Sequence, residues 1–398
     1  MNDDPWRGCN PFTPEFRDDP YPFLHHLRRV DPVNETPVGL WRLTRYADVN
    51  RLLHDVPAGV RTTEGELPGV DESLSGQRLF MLQQDPPTHP RLRRLVSSAF
   101  TPRAIAALRP TIQRIVDECL DRVAARGEME LIADLALPVP ATVICEMMGV
   151  PIADRDKFTV WTAKATHGLA SQFLPPEMLA EAQAAGMSLA AYFQDLIAAR
   201  RGRLTDDILS GLIRAEEAGD RLAPLELLSQ AIGLLIAGFE TTIGLIGNGV
   251  RALLRHPDEV AKLRARPDLI ASAVEECLRY DGPIILTARV VHADVEFGGK
   301  TISKNSRIWA MLAAANRDPD AFPDPDRFDV ARQPNEHLAF GGGPHFCLGA
   351  YLARLEGQIA IGSLVQRCDD LALASDTIEW GPSLFRVPGR LPLTFRAR

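Results

Sequence analysis

Residues 340–349 read FGGGPHFCLG, and this stretch decides how the rest of the chain is interpreted. It places Cys347 in a glycine-rich loop that leads directly into a helical pattern at 349–367. A cysteine binds a metal as its thiolate. Backbone N–H groups in a tight loop and the positive end of the following helix stabilise that charge. The loop therefore predicts one thiolate offered to a metal whose other ligands do not come from the protein.

The residues around Cys347 fit a flat metal cofactor. The glycines at 341–343 allow the backbone conformations that a tight loop needs. Gly349 lacks a side chain, so a flat group could lie against the start of the helix, and Phe340 could shield the sulfur from water. His345 could hydrogen-bond a carboxylate at the cofactor's edge. The alternative is a glycine-rich turn that holds a buried free cysteine.

The other five cysteines form no recognisable pattern. They are scattered, with no CxxC pair and no zinc-type spacing, and a disulfide framework is not expected in a cytoplasmic chain of this size. We expect them to be small buried hydrophobic residues. They are Cys9, Cys119, Cys145, Cys277 and Cys368.

Composition excludes several classes of protein. The 398 residues are 45% hydrophobic and 24% charged, which is ordinary for a globular protein with a sizeable core. The net charge of -8 argues against general binding to nucleic acid or to an anionic membrane. No secretory signal is visible at the N-terminus. Glu240 and two threonines interrupt the most apolar stretch, 231–247, so we expect a core helix, no membrane anchor and a cytoplasmic location.

Helical periodicity dominates the chain. It is clear at 101–126, 140–149, 177–200, 225–254, 268–280 and 349–367, whereas strand-like pieces are confined to 37–45, 286–297 and 306–314. Residues 316–333 read as a long irregular segment. We predict a fold that is mostly α with a minor β part (α+β). The expected organisation is a single domain over 1–398, with a small β-rich part from about 37–60 and 284–314.

Polar residues interrupt the apolar helix at AGFETT, 237–242. A threonine can hydrogen-bond its own helix, but a buried carboxyl group such as Glu240 needs other partners. The alternative without a functional role is that these side chains reach solvent. Two further pairs share helix faces: Glu276 with Arg279 in EECLR, and His89 with Arg93 in THPRLRR. The first could be an ordinary surface ion pair, and the second could be a solvated basic face.

The loop at 340–349 resembles the haem-ligand signature of the cytochrome P-450 superfamily, F-G-x-G-x-H-x-C-x-G. Every specified position is met. The resemblance, which is to the soluble bacterial type, implies that Cys347 is the axial ligand of a haem b iron. It also implies the family's fold, with a long central helix over the haem and the cysteine loop beneath. Thiolate ligation favours cleavage of the O–O bond.

Other motifs acquire roles through the same resemblance. AGFETT is similar to the oxygen-activation motif A-G-x-D/E-T, with Glu240 where the family more often has Asp. This similarity implies that Ala237 and Gly238 lie against the distal haem face, that Thr241 hydrogen-bonds dioxygen, and that Glu240 relays protons.

The haem carboxylates would be held by His89, Arg93, Arg289 and His345. EECLR matches the family's ExxR, which locks the helix to the irregular segment through another arginine. Our candidate for that third partner is Arg327, with Arg332 in reserve.

The resemblance implies a monooxygenase that inserts one atom of dioxygen into an apolar or amphipathic small organic molecule, by hydroxylation or epoxidation. The implied substrate pocket is mostly apolar. Its residues are Phe80, Met81, Phe173, Leu234, Ile284, Ile285, Leu286 and Phe385, with neighbours Leu174 and Leu384. Arg61 or Arg386 could add a charge there.

The expected electron donors are a ferredoxin and its reductase, because the chain has no flavin or nicotinamide motif. Docking could use Arg91, Arg94, Arg103 and Arg354. We expect a monomer that binds no nucleic acid. Three alternatives are open: a haem-thiolate enzyme for peroxide-driven oxidation or oxidative coupling, a non-catalytic haem-binding sensor, and a thiol enzyme with Cys347 as its nucleophile.

Overall fold

Helices form most of the structure, a computed structural model that describes residues 13–68, 79–168, 174–217, 222–375, 377–381, 383 and 385–398. Within those ranges the helices are α1 (Pro14–Asp18), α2 (Tyr21–Val30), α3 (Tyr46–His54), α4 (Thr88–Ser97), α5 (Pro102–Ala107), α6 (Arg109–Ala124), α7 (Pro138–Met148), α8 (Arg155–Ala165), α9 (Pro176–Arg200), α10 (Ile208–Glu217), α11 (Pro224–Leu254), α12 (Pro257–Ala265), α13 (Ile270–Asp281), α14 (Leu312–Ala315) and α15 (Ala350–Arg367).

The strands are short. They are β1 (Val33–Glu35), β2 (Trp41–Leu43), β3 (Ala58–Gly59), β4 (Glu128–Glu130), β5 (Thr287–Val291), β6 (Val295–Phe297), β7 (Lys300–Ile302), β8 (Arg307–Ala310), β9 (Cys368–Leu373), β10 (Glu379–Trp380), β11 (Pro388–Arg390) and β12 (Pro392–Ala397). The largest sheet has the order β1-β2-β8-β5-β3, with β2 and β8 parallel and the other pairs antiparallel. It brings together strands that lie far apart in the sequence.

Helix α11 is the centre of the hydrophobic core. Pro224 occupies its first turn, and the Glu226 carboxylate accepts a hydrogen bond from the Ala223 N–H at 2.9 Å, which satisfies a free donor at the start of the helix. The helix is long and apolar enough to cross a membrane, but 72% of its most apolar window is buried inside the protein. A helix that is apolar on all sides belongs in a core, and α11 packs against α7, α13 and α15.

The predicted elements are confirmed with three differences. The strand predicted at 286–297 forms two strands, β5 and β6, which residues 292–294 separate. The pattern at 101–126 forms two helices, because Pro110 has no N–H to continue α5 and instead lies in the first turn of α6. The strand predicted at 306–314 ends at Ala310, and the alanine-rich run that follows forms α14, since alanine strongly favours helix. Between α14 and the cysteine loop, residues 317–342 contain neither helix nor strand.

A buried carboxylate, Glu276 on α13, holds this irregular segment in place. Arg279 donates to both of its oxygens, at 2.7 and 2.8 Å, and both side chains have 0% exposure. The third side chain is Arg332, whose Nε donates to Glu276 at 3.1 Å. The prediction of Arg327 was wrong.

The Arg327 side chain is 63% exposed and lies 3.9 Å from Asp329. Only its backbone carbonyl joins the network, by accepting hydrogen bonds from Arg279 and Arg332. The turn of the chain directs one arginine inward and the other outward.

Substitution of the two arginines separates these roles. Arg332→Ala should lower the free energy of unfolding by about 3 kcal/mol, because it removes a charged donor from a buried carboxylate. Arg327→Ala should change the same quantity by less than about 0.5 kcal/mol, as expected for an exposed side chain. Urea unfolding followed by circular dichroism measures both. Equal effects of the two substitutions would contradict the assignment.

Candidate active site

The loop that carries Cys347 is held in a conformation that only glycine allows at key positions. Gly341 and Gly343 have φ angles of +67° and +63°. A Cβ atom on Gly343 would lie 2.2 Å from the carbonyl oxygen of Leu53, so no other residue fits there without movement of the backbone. The Cys347 N–H donates to the Phe340 carbonyl at 3.0 Å and closes the loop.

The Cys347 sulfur is surrounded by protein but accessible, because it faces an internal cavity. Burial raises the pKa of the thiol, whereas a hydrogen bond from the Gly349 N–H and the positive charges of Arg93 and Arg354 lower it. A Cβ atom on Gly349 would meet no atom within 4 Å, so the space beside the start of α15 is open. The backbone donor and the open space are both features that the sequence predicted.

The cavity extends from Cys347 to the opposite wall, which α11 forms. It has a volume of about 910 Å³, and Ala237, Gly238 and Thr241 line it. The Thr241 hydroxyl donates to the Ala237 carbonyl at 3.3 Å, so the oxygen of the side chain can still accept a hydrogen bond from the cavity. The structure thus brings the cysteine and the threonine of two distant motifs to one space.

Glu240 is buried in α11 with 5% exposure and does not reach solvent directly. Burial raises the pKa of its carboxyl group to about 7, and the hydroxyls of Ser383 and Thr166 oppose this shift only in part. Its Oε2 atom makes no hydrogen bond within the described residues. A carboxyl group with this pKa can both give and take a proton near neutral pH.

A second buried acid, Glu356 on α15, was missed from the sequence. Its side chain has no exposure, and burial raises its pKa to about 8, against the effect of the Thr242 hydroxyl. An acidic residue between the apolar positions Leu355 and Ile359 was the available signal. The other missed residues are Asp85, Thr166, Gln230 and Ser383, whose positions depend on tertiary contacts.

Basic side chains cluster on one side of the cavity. The rings of His89 and His345 lie 4.2 Å apart between centroids, and Arg93 and Arg289 line the same cavity. Burial lowers the pKa of His89 to about 4, and the charges of His345, Arg93 and Arg289 add to this effect. Asp85 is the acid nearest this cluster in the described residues, 3.8 Å from His345.

This cluster has a charge that two carboxylates would balance. Arg93 donates to the Phe346 carbonyl at 2.8 Å and to the Pro344 carbonyl at 3.3 Å, which ties α4 to the cysteine loop. Among the described residues, Arg289 donates only to Thr287 and to the Ala288 carbonyl. Both guanidinium groups keep donors for an anionic ligand. Among the described residues, no group of three or more His, Cys, Asp and Glu side chains could hold a metal ion alone.

Most of the predicted substrate residues lie around the same space, but Leu174 does not line the cavity, and Phe173 and Leu384 fall outside the described residues. The cavity-lining members are Phe80, Met81, Leu234, Ile284, Ile285, Leu286 and Phe385. Gln230 on α11 holds this segment by accepting from the Met81 N–H at 3.1 Å and donating to the Leu79 carbonyl at 2.9 Å. The Phe80 ring lies against Gly233, where a Cβ atom would meet it at 2.3 Å.

Two charge predictions need correction. Arg91 is paired with Glu226, and Arg354 donates to Glu275 at 2.7 and 2.8 Å, so neither is free to dock a partner. Arg386, a candidate for a charged substrate, is buried and donates to Asp281 at 2.8 Å.

Arg61 is also committed to contacts within the protein. It donates to the backbone carbonyls of Gln83 and Gly65, and it does not line the cavity. Arg94 and Arg103 are exposed.

Comparison with known proteins gives a consistent result. A family model described as "Cytochrome P450" matches residues 61–377. The biotin biosynthesis cytochrome P450 of Bacillus subtilis (strain 168) is 41% identical over 386 residues, which cover 96% of this chain and 97% of the relative. The cytochrome P450 monooxygenase PikC of Streptomyces venezuelae is 42% identical over 393 residues, with 96% and 92% covered.

A solved structure of P450BioI in complex with hexadec-9Z-enoic acid ligated acyl carrier protein is also similar. Its TM-score is 0.89 at 41% identity, and the alignment covers 96% of this chain and 99% of that chain.

The raised pKa of Glu240 predicts a pH-dependent stability. The folded state holds this proton up to about pH 7, whereas the unfolded carboxyl group has a pKa of 4.5. The free energy of unfolding should therefore fall, relative to Glu240→Gln, as the pH rises from about 4.5 to 7, by about 3 kcal/mol in total. Urea unfolding at several pH values measures the difference. The exposed Glu128→Gln serves as the control, and a Glu240→Gln profile parallel to that of the wild type would contradict the burial argument.

Proposed function

This chain belongs to the cytochrome P450 family, and we propose that it hydroxylates or epoxidises an amphipathic small organic molecule with electrons from separate redox proteins. Its relatives include cytochrome P450 monooxygenases, so the chain is an oxidoreductase that incorporates oxygen from dioxygen. The single observation that carries the proposal is the shared cavity. Cys347 and Thr241 both line it, and apolar side chains form most of the remaining wall.

The residues present fit the haem of this family, which we take to be haem b. Cys347 offers one thiolate in a loop with a backbone donor, and the open space at Gly349 accommodates a flat group. His89, Arg93, Arg289 and His345 would hold its two carboxylates. When bound, haem iron with a thiolate ligand supplies the activation of dioxygen.

Glu240 and Thr241 are proposed to deliver protons. Reduction of dioxygen to water consumes protons, and a carboxyl group with a pKa of about 7 is well matched to supply them near neutral pH. Thr241 is the next residue of the helix and lines the cavity, whereas Glu240 lies behind it with Thr166 and Ser383. This arrangement favours an oxygen-activating enzyme over one that uses peroxide, because a peroxide-driven reaction does not need the relay.

An apolar wall supports the proposed substrate class. The described side chains that line the cavity are mostly aliphatic or aromatic, as in sites that bind hydrophobic small molecules. A hexadec-9Z-enoic acid chain in the similar structure of P450BioI is consistent with a long amphipathic molecule.

Electron transfer is proposed to come from a ferredoxin and its reductase in the cytoplasm. The exposed Arg94 and Arg103 are positive groups that an acidic ferredoxin could contact. Phe346, which precedes Cys347, is 40% exposed, and Tyr351 on α15 is 50% exposed. These aromatic residues lie on the cysteine side of the molecule and would complete an apolar centre for the contact.

A spectrum of the purified haem protein tests the proposal. The reduced, carbon-monoxide-bound protein should show the red-shifted Soret band of thiolate ligation, and Cys347→Ala should abolish that band because no second thiolate faces the cavity among the described residues. Cys119→Ala removes a buried thiol on α6 and should leave the band unchanged. Persistence of the band in Cys347→Ala would reject the assignment.

The role of Thr241 is tested by the coupling between electron consumption and product formation. Thr241→Ala should lower the yield of product per electron pair by roughly tenfold and raise peroxide release, because proton delivery loses its hydroxyl. Thr241→Ser keeps the hydroxyl and should retain most of the coupling. Assays of peroxide and of oxidised product with a substrate found by spin-state screening measure this. Unchanged coupling in Thr241→Ala would count against the relay.

A further inference from the structure

One positive side chain of the cavity wall, Arg307, does not belong to the cluster assigned to the haem carboxylates. Arg307 lies at the start of β8 and pairs with Val290 of β5, while the neighbouring Arg289 pairs with Ile308. Paired residues direct their side chains to the same face of a sheet, and successive residues alternate between faces. Arg307 and Arg289 therefore project from opposite faces, although both line the cavity.

Arg307 has no counter-ion in the described part of the chain. Its Nη1 atom is buried without a hydrogen-bond partner, and neither an ion pair nor a hydrogen bond is made by any atom of its side chain there. Burial alone lowers the pKa of Arg307 to about 10, so it remains charged near neutral pH. By contrast, burial lowers the pKa of Arg289, and the negative charge of Asp85 opposes this shift. An unpaired buried cation is costly unless a ligand supplies the missing charge.

The cavity offers that cation no protein partner. None of the described residues that line it is Asp or Glu. Four basic side chains are already assigned to the two haem carboxylates, so the haem would leave Arg307 without a counter-ion. The other arginines considered for substrate recognition are occupied, Arg386 by Asp281 and Arg61 by backbone carbonyls.

We propose that Arg307 binds the carboxylate of an amphipathic organic acid and thereby selects the substrate class. A planar guanidinium group matches the two oxygens of a carboxylate. Binding of an acid at Arg307 does not depend on the proposed function. The assignment of that acid as the oxidised substrate rests on the proposed function.

The surroundings of Arg307 suit a ligand with one charged end. Phe16, Ala288 and Trp309 line the cavity wall on the same side and belong to one hydrophobic cluster. Leu82, Met187 and Leu225 also line the cavity, and they are 45%, 67% and 65% exposed. Exposed apolar residues that also line a cavity mark an entrance through which a hydrocarbon chain can pass.

Calorimetric titration of the haem-loaded protein with matched ligands tests this site. Dodecanoic acid, dodecan-1-ol and methyl dodecanoate differ only in the charge and polarity of one end. The wild type should bind the acid about 10- to 100-fold more tightly than the alcohol or the ester, as expected for charge-assisted hydrogen bonds in a buried site. Arg307→Gln should abolish that preference while it changes the affinity for the alcohol by less than about threefold.

Two control variants sharpen the test. Arg307→Lys keeps the charge and should retain a preference for the acid. Lys304→Gln removes an exposed positive charge from the turn before β8 and should behave as the wild type. Equal binding of acid and alcohol by the wild type would overturn the proposal, as would an acid preference that survives Arg307→Gln.

The haem content of the Arg307→Gln variant tests whether Arg307 binds the haem carboxylates instead of the substrate. A lower haem content with equal weakening of acid and alcohol would assign Arg307 to the haem carboxylates and overturn the proposal. The outcome is separate from the proposed function, because ligand preference is measured without turnover. A thiolate spectrum without acid preference rejects only the anion site, whereas loss of the thiolate spectrum rejects the oxygenase assignment.

Discussion

The buried carboxylate of Glu276 is the interaction on which the active site depends. It accepts hydrogen bonds from Arg279, from Arg332 and from the backbone N–H of Asp329. Charges this deep are stable only when every partner is in place, so the network specifies one path for a segment without helix or strand. That segment leads directly to the loop of Cys347. The position of the thiolate is thus determined by an ion pair on another helix as well as by its own glycines.

Helix α11 combines two demands that oppose each other. As the centre of the core it must be apolar, and its other described residues from 231 to 247 are apolar apart from its threonines. As a wall of the active site it carries Glu240, whose burial costs stability whenever the carboxyl group is charged. Keeping the proton reduces that cost and would also prepare the group for the proposed proton transfer. The unfavourable burial and the useful pKa have the same physical cause.

Local chemistry made part of this arrangement predictable. The core helices follow from apolar periodicity, and the Cys347 loop from its glycines and the helix that follows. Contacts between distant segments could not be predicted from local sequence. Arg327 and Arg332 lie five residues apart in the same irregular segment, and only the path of the turns decides which one reaches Glu276. Glu356 was overlooked because an acid on a helix is usually exposed.

The electrostatics of the cavity link its cofactor to its substrate. Its described walls contain cationic side chains and no Asp or Glu, so the cavity favours negatively charged ligands. Two haem carboxylates would balance the charge of the cluster formed by His89, Arg93, Arg289 and His345. This cluster lies on the face of the sheet from which Arg289 projects. The opposite face presents Arg307, which we propose binds the carboxylate of the substrate instead of the cofactor. Because the pleat of the strands separates the two cations, one sheet can hold a cofactor with one face and orient an organic acid with the other.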